Sequence, residues 1–270
     1  MLKPFDYYRP ATKDEAVELL KQSNSKIMAG GTDLLVSMRN GAIKPEVIVD
    51  IKGIEELRGI SIDNDVLRIG ATVTINEIID SNEIKEIFPV LVEAGSVLAS
   101  YQVRNRATVA GNLCNASPAA DMAPALLVLQ AEAEVYGSRG LRQIPLKDFF
   151  AGVKKTNLAQ DEVLTSIKVP IRSGKGKYIK KARIKGPDLS TVGVACFKEG
   201  GKLRIAVGAC APTPRLVELN VSAMTRKEIF ETGKTKVMDV ISPIDDVRAS
   251  AEYRKALVEI FVERILEEIL

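Results

Sequence analysis

The sequence predicts an α+β protein with two domains. Helix and strand signals alternate through the first two thirds of the chain, which is typical of a mixed fold. A basic, glycine-containing stretch at 172–177 then interrupts this alternation. Beyond it, a hairpin turn lies between two apolar runs, and a long amphipathic helix follows. Because 270 residues amount to about two domains of roughly 150 residues, we expect domains at 1–171 and 172–270.

Capping motifs and apolar periodicity predict the elements of the first domain. The sequences TKDE at 12–15 and TINE at 74–77 are capping boxes, each of which opens a helix. The other predicted elements are strands at 27–29, 47–51, 66–69, 133–136 and 163–169 and helices at 34–39, 89–99 and 121–129. The first domain is therefore expected to alternate between α and β elements.

The second domain is predicted to be a three-stranded antiparallel sheet covered by a helix. Its strands are expected at 178–184, 191–197 and 203–209, and residues 199–202 (EGGK) form the hairpin turn. From about Val247 to Glu268, apolar residues recur on one helical face.

Composition excludes several classes of function. The chain has no histidine, so neither Ser-His-Asp catalysis nor a His-ligated metal site is encoded. Its three cysteines lie far apart, which argues against zinc or an iron–sulfur cluster on this chain. A net charge of +3 is too weak to indicate nucleic-acid binding. We expect no metal site, no membrane span and a cytoplasmic location.

Two turns of small residues are the candidates for ligand binding. One is Ala29 to Asp33, between a strand and a helix, and the other is Thr108 to Asn112. Small residues let the backbone approach a ligand and direct N–H groups at an anion, such as a diphosphate. The alternative is that both are ordinary turns, with Asp33 and Asp121 acting as helix caps. The spacing alone favours neither interpretation.

Four long segments resemble one known family. They are MAGGTDLLVSMRNG (28–41), YQVRNRATVAGNLCNASPAADMAPALL (101–127), GACAPTPR (208–215) and SPIDDVRASAEYRKALVEIFVERIL (242–266). The chain resembles, over essentially its whole length, the FAD-binding (medium) subunit of the xanthine dehydrogenase / carbon monoxide dehydrogenase group of molybdenum hydroxylases. This resemblance implies a two-subdomain FAD-binding fold of the vanillyl-alcohol-oxidase type, with subdomains at about 1–53 and 54–171, followed by a small α+β domain.

The resemblance also implies which residues bind FAD. Two loops would hold the diphosphate, an acidic residue would lie near the adenosine or ribitol hydroxyls, and three further residues would line the flavin pocket. The first loop comprises Ile27, Met28, Ala29, Gly30, Gly31, Thr32, Asp33 and Leu34, and the second comprises Thr108, Val109, Ala110, Gly111 and Asn112. The acidic residue is Asp121, and the residues lining the flavin pocket are Ala99, Leu164 and Lys180. Core packing is an equal alternative for Ala99 and Leu164, and a solvated strand lysine is the alternative for Lys180.

Two positions depart from the family pattern. Relatives often have glycine where this chain has Ala110, so close backbone approach is less free there. Relatives often have paired arginines where this chain has Ile184 and Lys185, which weakens any inference about NAD.

The function implied by the resemblance is electron transfer within a complex. Substrate would be hydroxylated at a molybdopterin centre on a large subunit, and electrons would pass through [2Fe–2S] clusters of a small subunit to FAD here. An acceptor such as NAD would then be reduced. No catalytic side chain is expected on this chain, because the flavin carries the redox chemistry. The alternatives are a stand-alone flavin reductase and a scaffold without flavin, the latter suggested by Ala110.

Overall fold

The computed structural model describes residues 2–270 and contains three main sheets. Within this range no helix has both the length and the apolar character needed to cross a bilayer. The chain order is a small parallel sheet, a five-stranded antiparallel sheet with helices, and a second antiparallel sheet with two helices.

The N-terminal unit is a three-stranded parallel sheet. Its elements are β1 (Asp6–Tyr8), α1 (Lys13–Leu20), β2 (Ser25–Met28), α2 (Leu34–Arg39) and β3 (Val47–Asp50). The buried strand β3 lies in the middle, and both neighbours run parallel to it. The predicted first loop begins at the carboxyl end of β2, where the chain leaves this sheet.

A five-stranded antiparallel sheet with helices on one face follows. Its strand order is β4-β5-β10-β6-β7. The strands are β4 (Ile60–Asp63), β5 (Val66–Gly70), β6 (Glu132–Gly137), β7 (Gly140–Pro145) and β10 (Val163–Pro170), with a small hairpin of β8 (Phe150–Gly152) and β9 (Lys155–Thr156). The helices are α3 (Ile75–Asp80), α4 (Asn82–Ile87), α5 (Pro89–Ser96), α6 (Tyr101–Arg104), α7 (Val109–Cys114) and α8 (Met122–Val128).

The C-terminal sheet is antiparallel as predicted, but it has four strands rather than three. They are β11 (Lys175–Lys181), β12 (Val192–Glu199), β13 (Lys202–Gly208) and β14 (Arg215–Asn220), paired in sequence order. The predicted turn at 199–202 joins β12 to β13. The fourth strand, β14, is an edge strand of mixed polarity, which explains why the apolar pattern did not indicate it.

Two helices pack on the outer face of this sheet. They are α9 (Arg226–Val240) and α10 (Ala251–Ile269). The predicted C-terminal helix corresponds to α10. Helix α9 was not predicted, because it buries only a narrow stripe of Ile229, Gly233 and Val237.

The two central strands of the C-terminal sheet, β12 and β13, are buried on both faces. Along β12, Val192, Val194 and Cys196 belong to the core beneath α9 and α10, whereas Ala195 and Phe197 belong to the core of the N-terminal half. Successive side chains of a strand point to opposite faces. The sheet therefore joins the two halves of the chain through α5 and α8, which contact its inner face.

The structure revises two predicted features of the element ends, a capping box and the start of a strand. Thr12 caps α1, but Glu15 binds the N–H of Ala11 (2.8 Å) instead of that of Thr12, so the first capping box is only half formed. The second box, Thr74 with Glu77, is complete. The basic stretch at 172–177, where the domain boundary is predicted, is partly strand, because β11 begins at Lys175.

The helix predicted at 89–99 ends at Ser96. Arg104 accounts for this end, since its guanidinium donates to the carbonyls of Ser96 (3.3 Å), Leu98 (2.9 Å) and Ala99 (3.1 Å). Ala99 itself has a φ of +44°, a left-handed conformation that cannot continue a helix.

Candidate functional site

The predicted site residues lie at the edges of several elements. Ile27 and Met28 end β2, Ala29 to Asp33 form the loop before α2, and Leu34 is the first residue of α2. The second group lies around the start of α7. The remaining predicted residues are Ala99 after α5, Asp121 before α8, Leu164 in β10 and Lys180 in β11.

The loop after β2 offers a run of free backbone donors. Within residues 2–270, the N–H groups of Gly30, Gly31, Thr32 and Asp33 donate to no protein acceptor. Gly31 has a φ of +73°, which glycine adopts without strain. Consecutive free amides at a turn form an anion-binding concavity.

This loop is anchored at its start by Lys52. The lysine donates to the carbonyl of Ala29 (2.9 Å) and pairs with Asp50 (2.7 Å), which also accepts from the Tyr7 hydroxyl. Although burial opposes ionisation of Asp50, the bonds from Lys52 and Tyr7 lower the pKa of this carboxyl. The Asp50 carboxylate therefore stays ionised near neutral pH.

Gly30 brings the two predicted loops together. A Cβ at this position would lie 2.0 Å from the carbonyl oxygen of Arg106 and 3.0 Å from Cα of Ala107. No side chain fits at such distances, so Gly30 is required for contact between the first loop and the segment before Thr108. The sequence predicts that this glycine contacts the ligand, and the structure shows that it contacts the other loop.

The second predicted turn is instead the first turn of a helix. Thr108 is the N-cap of α7, and its hydroxyl accepts from the N–H of Gly111 (2.9 Å). An isolated antiparallel bridge to Thr74 fixes its position, since Ile75 N–H donates to Ala107 (2.9 Å) and Val109 N–H donates to Val73 (3.3 Å). The methyl group of Ala110 lies in the hydrophobic core. The methyl group by which Ala110 differs from the glycine expected at this position is therefore a core contact.

Five polar side chains lie in or shortly after the two predicted turns, those of Thr32, Thr108, Asn112, Asn115 and Ser117. Within residues 2–270, two of the five make no hydrogen bond to protein and remain available to a ligand. Thr108 caps α7, Asn115 accepts from Lys154 (2.8 Å), and Ser117 accepts from the N–H of Ala119 (3.3 Å). By contrast, the Asn112 side-chain oxygen is buried and has no hydrogen-bond partner, and Thr32 makes no side-chain hydrogen bond. A buried polar atom without a partner is unfavourable unless a ligand or water satisfies it.

The alternative in which both aspartates serve as helix caps is not supported. Asp33 precedes α2 and Asp121 precedes α8, but neither side chain makes a capping hydrogen bond. The carboxylate of Asp121 instead faces the C-terminal domain.

Asp121 is the centre of a buried polar cluster between the two domains. One of its oxygens accepts from the hydroxyls of Tyr178 (2.9 Å) and Ser190 (2.5 Å), and the other accepts from Lys180 Nζ (2.9 Å). Protein donors thus occupy three of about four acceptor positions of a carboxylate. The position of Asp121 near ligand hydroxyls stays a prediction, and these bonds give the carboxylate a further role in joining the domains.

Lys180 is not a solvated strand lysine. Its side chain is 5% exposed, and besides Asp121 it binds the carbonyl of Val97 (3.0 Å). Burial, together with Asp121, raises the pKa of Tyr178 well above its usual value, which keeps the phenol protonated as a donor.

Leu164 is 3% exposed in the hydrophobic core, as the packing alternative describes. Ala99 is partly buried against the same core.

Tyr178 and Ser190 were not predicted as site residues. A signal for Tyr178 was present, because residues two apart on a strand share a face and Lys180 was already a candidate. No local signal pointed to Ser190, which lies 69 residues from Asp121.

Comparison with known proteins identifies both parts of the chain. Residues 3–172 match the family described as the FAD binding domain in molybdopterin dehydrogenase, and residues 177–269 match the CO dehydrogenase flavoprotein C-terminal domain. The chain is 33% identical to the xanthine dehydrogenase FAD-binding subunit of Escherichia coli O157:H7, covering 97% of this chain and 94% of that protein. It is 33% identical to the carbon monoxide dehydrogenase medium chain of Hydrogenophaga pseudoflava, with 98% and 97% covered.

Solved structures agree with this result. Carbon monoxide dehydrogenase from Hydrogenophaga pseudoflava superposes with a TM-score of 0.94 at 32% identity, covering 100% of this chain and 98% of the other. Quinoline 2-oxidoreductase from Pseudomonas putida 86 gives 0.90 at 26% identity, with the same coverage. The expected family and fold class are confirmed. The chain therefore belongs to the FAD-binding family of molybdopterin dehydrogenases, the relatives of the xanthine and carbon monoxide dehydrogenase medium subunits.

Proposed function

We propose that this chain binds FAD as the electron-transfer subunit of a molybdopterin-dependent dehydrogenase complex. Electrons would come from [2Fe–2S] clusters of a small partner subunit and leave to an acceptor such as NAD. A large partner subunit would carry the molybdopterin and the substrate pocket. The observation that carries this proposal is the run of four free amides at Gly30 to Asp33, held against the segment before Thr108.

These residues fit the diphosphate of FAD. Four neighbouring N–H donors compensate negative charge without a lysine. The side-chain oxygen of Asn112, which has no protein partner, is an acceptor that suits a hydroxyl of the ligand. We assign the diphosphate to Gly30–Asp33 and the start of α7, and the flavin end to the region of Ala99 and Lys180.

FAD, when bound, supplies the redox chemistry of the subunit. The chain itself would bind and orient the cofactor. Without histidine it lacks the side chain most often used for proton transfer near neutral pH. This composition agrees with an electron relay.

The cysteines support a requirement for partner subunits. Burial raises the pKa of Cys196 far above its usual value and that of Cys210 to about 12, so neither thiol ionises readily. Cluster ligation requires thiolates, usually four of them. Iron–sulfur centres would therefore reside on another chain, and the curated relatives are named as medium chains and FAD-binding subunits.

The two alternatives are less well supported. A flavin-free scaffold was suggested by Ala110, but its methyl group packs in the core. A stand-alone flavin reductase would need its own substrate site, whereas relatives named as subunits match this chain over 94–97% of their length.

Isolation of the native complex tests the proposal. We expect this chain to co-purify with two other polypeptides, and metal and flavin analysis should find molybdenum, iron and about one FAD per copy of this chain. A chain that purifies alone and reduces acceptors without partners would support the reductase. A complete complex that contains metals but no flavin would support the scaffold.

A further inference from the structure

Arg254 of α10 is a buried arginine outside the predicted site. It is 1% exposed, and its guanidinium donates to the carbonyls of Thr191 (2.5 Å) and Ala209 (3.2 Å) and to Asp246 (2.7 Å). Within residues 2–270, its Nε has no acceptor. The side chain is thus held by its two terminal nitrogens, Nη1 on the two carbonyls and Nη2 on Asp246.

Both carbonyls belong to segments that reach across to the N-terminal half. Thr191 follows Ser190, whose hydroxyl donates to Asp121 (2.5 Å). The N–H of Ala209 donates to the carbonyl of Pro118 (2.7 Å). Pro118 and Asp121 both lie in the segment between α7 and α8. Ser190 and Ala209 bond to this segment, and one guanidinium fixes the carbonyls of Thr191, next to Ser190, and of Ala209.

We propose that Arg254 is a positioning residue for the FAD site, an inference that rests on the proposed function. By fixing Thr191 and Ala209, it sets the positions of Ser190 and Pro118 and hence of the Asp121 carboxylate. Asp121 in turn holds Lys180, which the proposed function places near the flavin. Arg254 would therefore act on FAD binding through other residues, without touching the cofactor.

The geometry requires a guanidinium. Arginine presents rigid planar donors to several acceptors at once, whereas lysine offers a single nitrogen. Ionised Asp246 keeps the charge of Arg254 paired, because hydrogen bonds from Arg248 and the charge of Arg254 lower the pKa of Asp246. Arg254→Lys retains the charge but cannot span Thr191, Ala209 and Asp246 together.

Arg204 is a matched control. It is also 1% exposed, lies on β13 of the same sheet, and donates to Val128 (2.6 Å) at the opposite end of α8 from Asp121. Both lysine substitutions shorten a buried arginine of the C-terminal domain. Only Arg254→Lys is expected to disturb the segment at 115–121.

Amide hydrogen exchange on the full-length chain without FAD gives the first readout. In Arg254→Lys, peptides covering 115–122 should exchange about tenfold faster, with less than about a twofold change in Arg204→Lys. Equal changes in the two variants would overturn the proposal. Should Arg254→Lys fail to fold, Asp246→Asn, which removes the negative charge opposite the guanidinium, carries the same comparison.

A double-mutant cycle for FAD affinity gives the second readout. Arg254→Lys and Ser190→Ala should each raise the FAD dissociation constant about tenfold, and the double variant should be little worse than either. Additive effects would show that Arg254 does not act through Ser190 and would refute the proposal. Wild-type chain that binds no FAD would refute the proposed function, while the exchange comparison would still decide whether Arg254 positions the segment.

Discussion

Substitution of Gly30 by alanine is expected to weaken FAD binding about a hundredfold, which corresponds to about 3 kcal/mol. The added Cβ would lie 2.0 Å from the carbonyl oxygen of Arg106, so the two loops must separate. Because the clash is with backbone, no side-chain rotation relieves it. The dissociation constant of FAD, from quenching of flavin fluorescence, measures this effect.

Gly152→Ala is the matched control for this experiment. A Cβ at Gly152 would meet nothing within 4 Å, and the residue does not have a positive φ. Its FAD affinity should equal that of wild type. A folded Gly30→Ala variant with unchanged FAD affinity would show that juxtaposition of the loops is not required for binding.

The second large effect is expected from Lys180→Met. This change leaves the Asp121 carboxylate buried without its cation, which should lower the free energy of unfolding by about 3–5 kcal/mol. Urea denaturation at pH 7 measures the loss. The double variant Asp121→Asn with Lys180→Met should be destabilised by less than the sum of the single changes, because it removes both charges.

Lys177→Met is the control on the same strand. Lys177 pairs with Glu93 (3.1 Å) and Glu268 (2.8 Å), but all three side chains are substantially exposed. Its substitution should cost only about 0–1 kcal/mol. Equal losses for Lys177→Met and Lys180→Met would contradict a buried charge pair as the link between the domains.

Local patterns were sufficient to predict the elements with strong signals. The loop between β2 and α2 and the hairpin between β12 and β13 depend on neighbouring glycines and apolar runs, and the sequence indicates both. The polar helix α9 and the edge strand β14 bury few side chains, so their periodicity is weak. Such elements are stabilised mainly by their contacts with the neighbouring strands of the sheet.

The sequence does not indicate which distant residues pair with one another. The resemblance selected Asp121 and Lys180 as separate ligand contacts, but their ion pair spans 59 positions and depends on how the domains pack. Likewise, both loops were predicted, but the contact of Gly30 with Arg106 becomes visible only in three dimensions. Local chemistry thus indicates the ligand, and tertiary structure explains how these residues support one another.

A crystal structure of the chain with bound FAD is the most direct test. We predict that the pyrophosphate oxygens lie within hydrogen-bond distance of the N–H groups of Gly30, Gly31, Thr32 and Asp33, because these donors have no protein acceptor. Density that places the pyrophosphate elsewhere, with these four amides still unoccupied, would contradict the account.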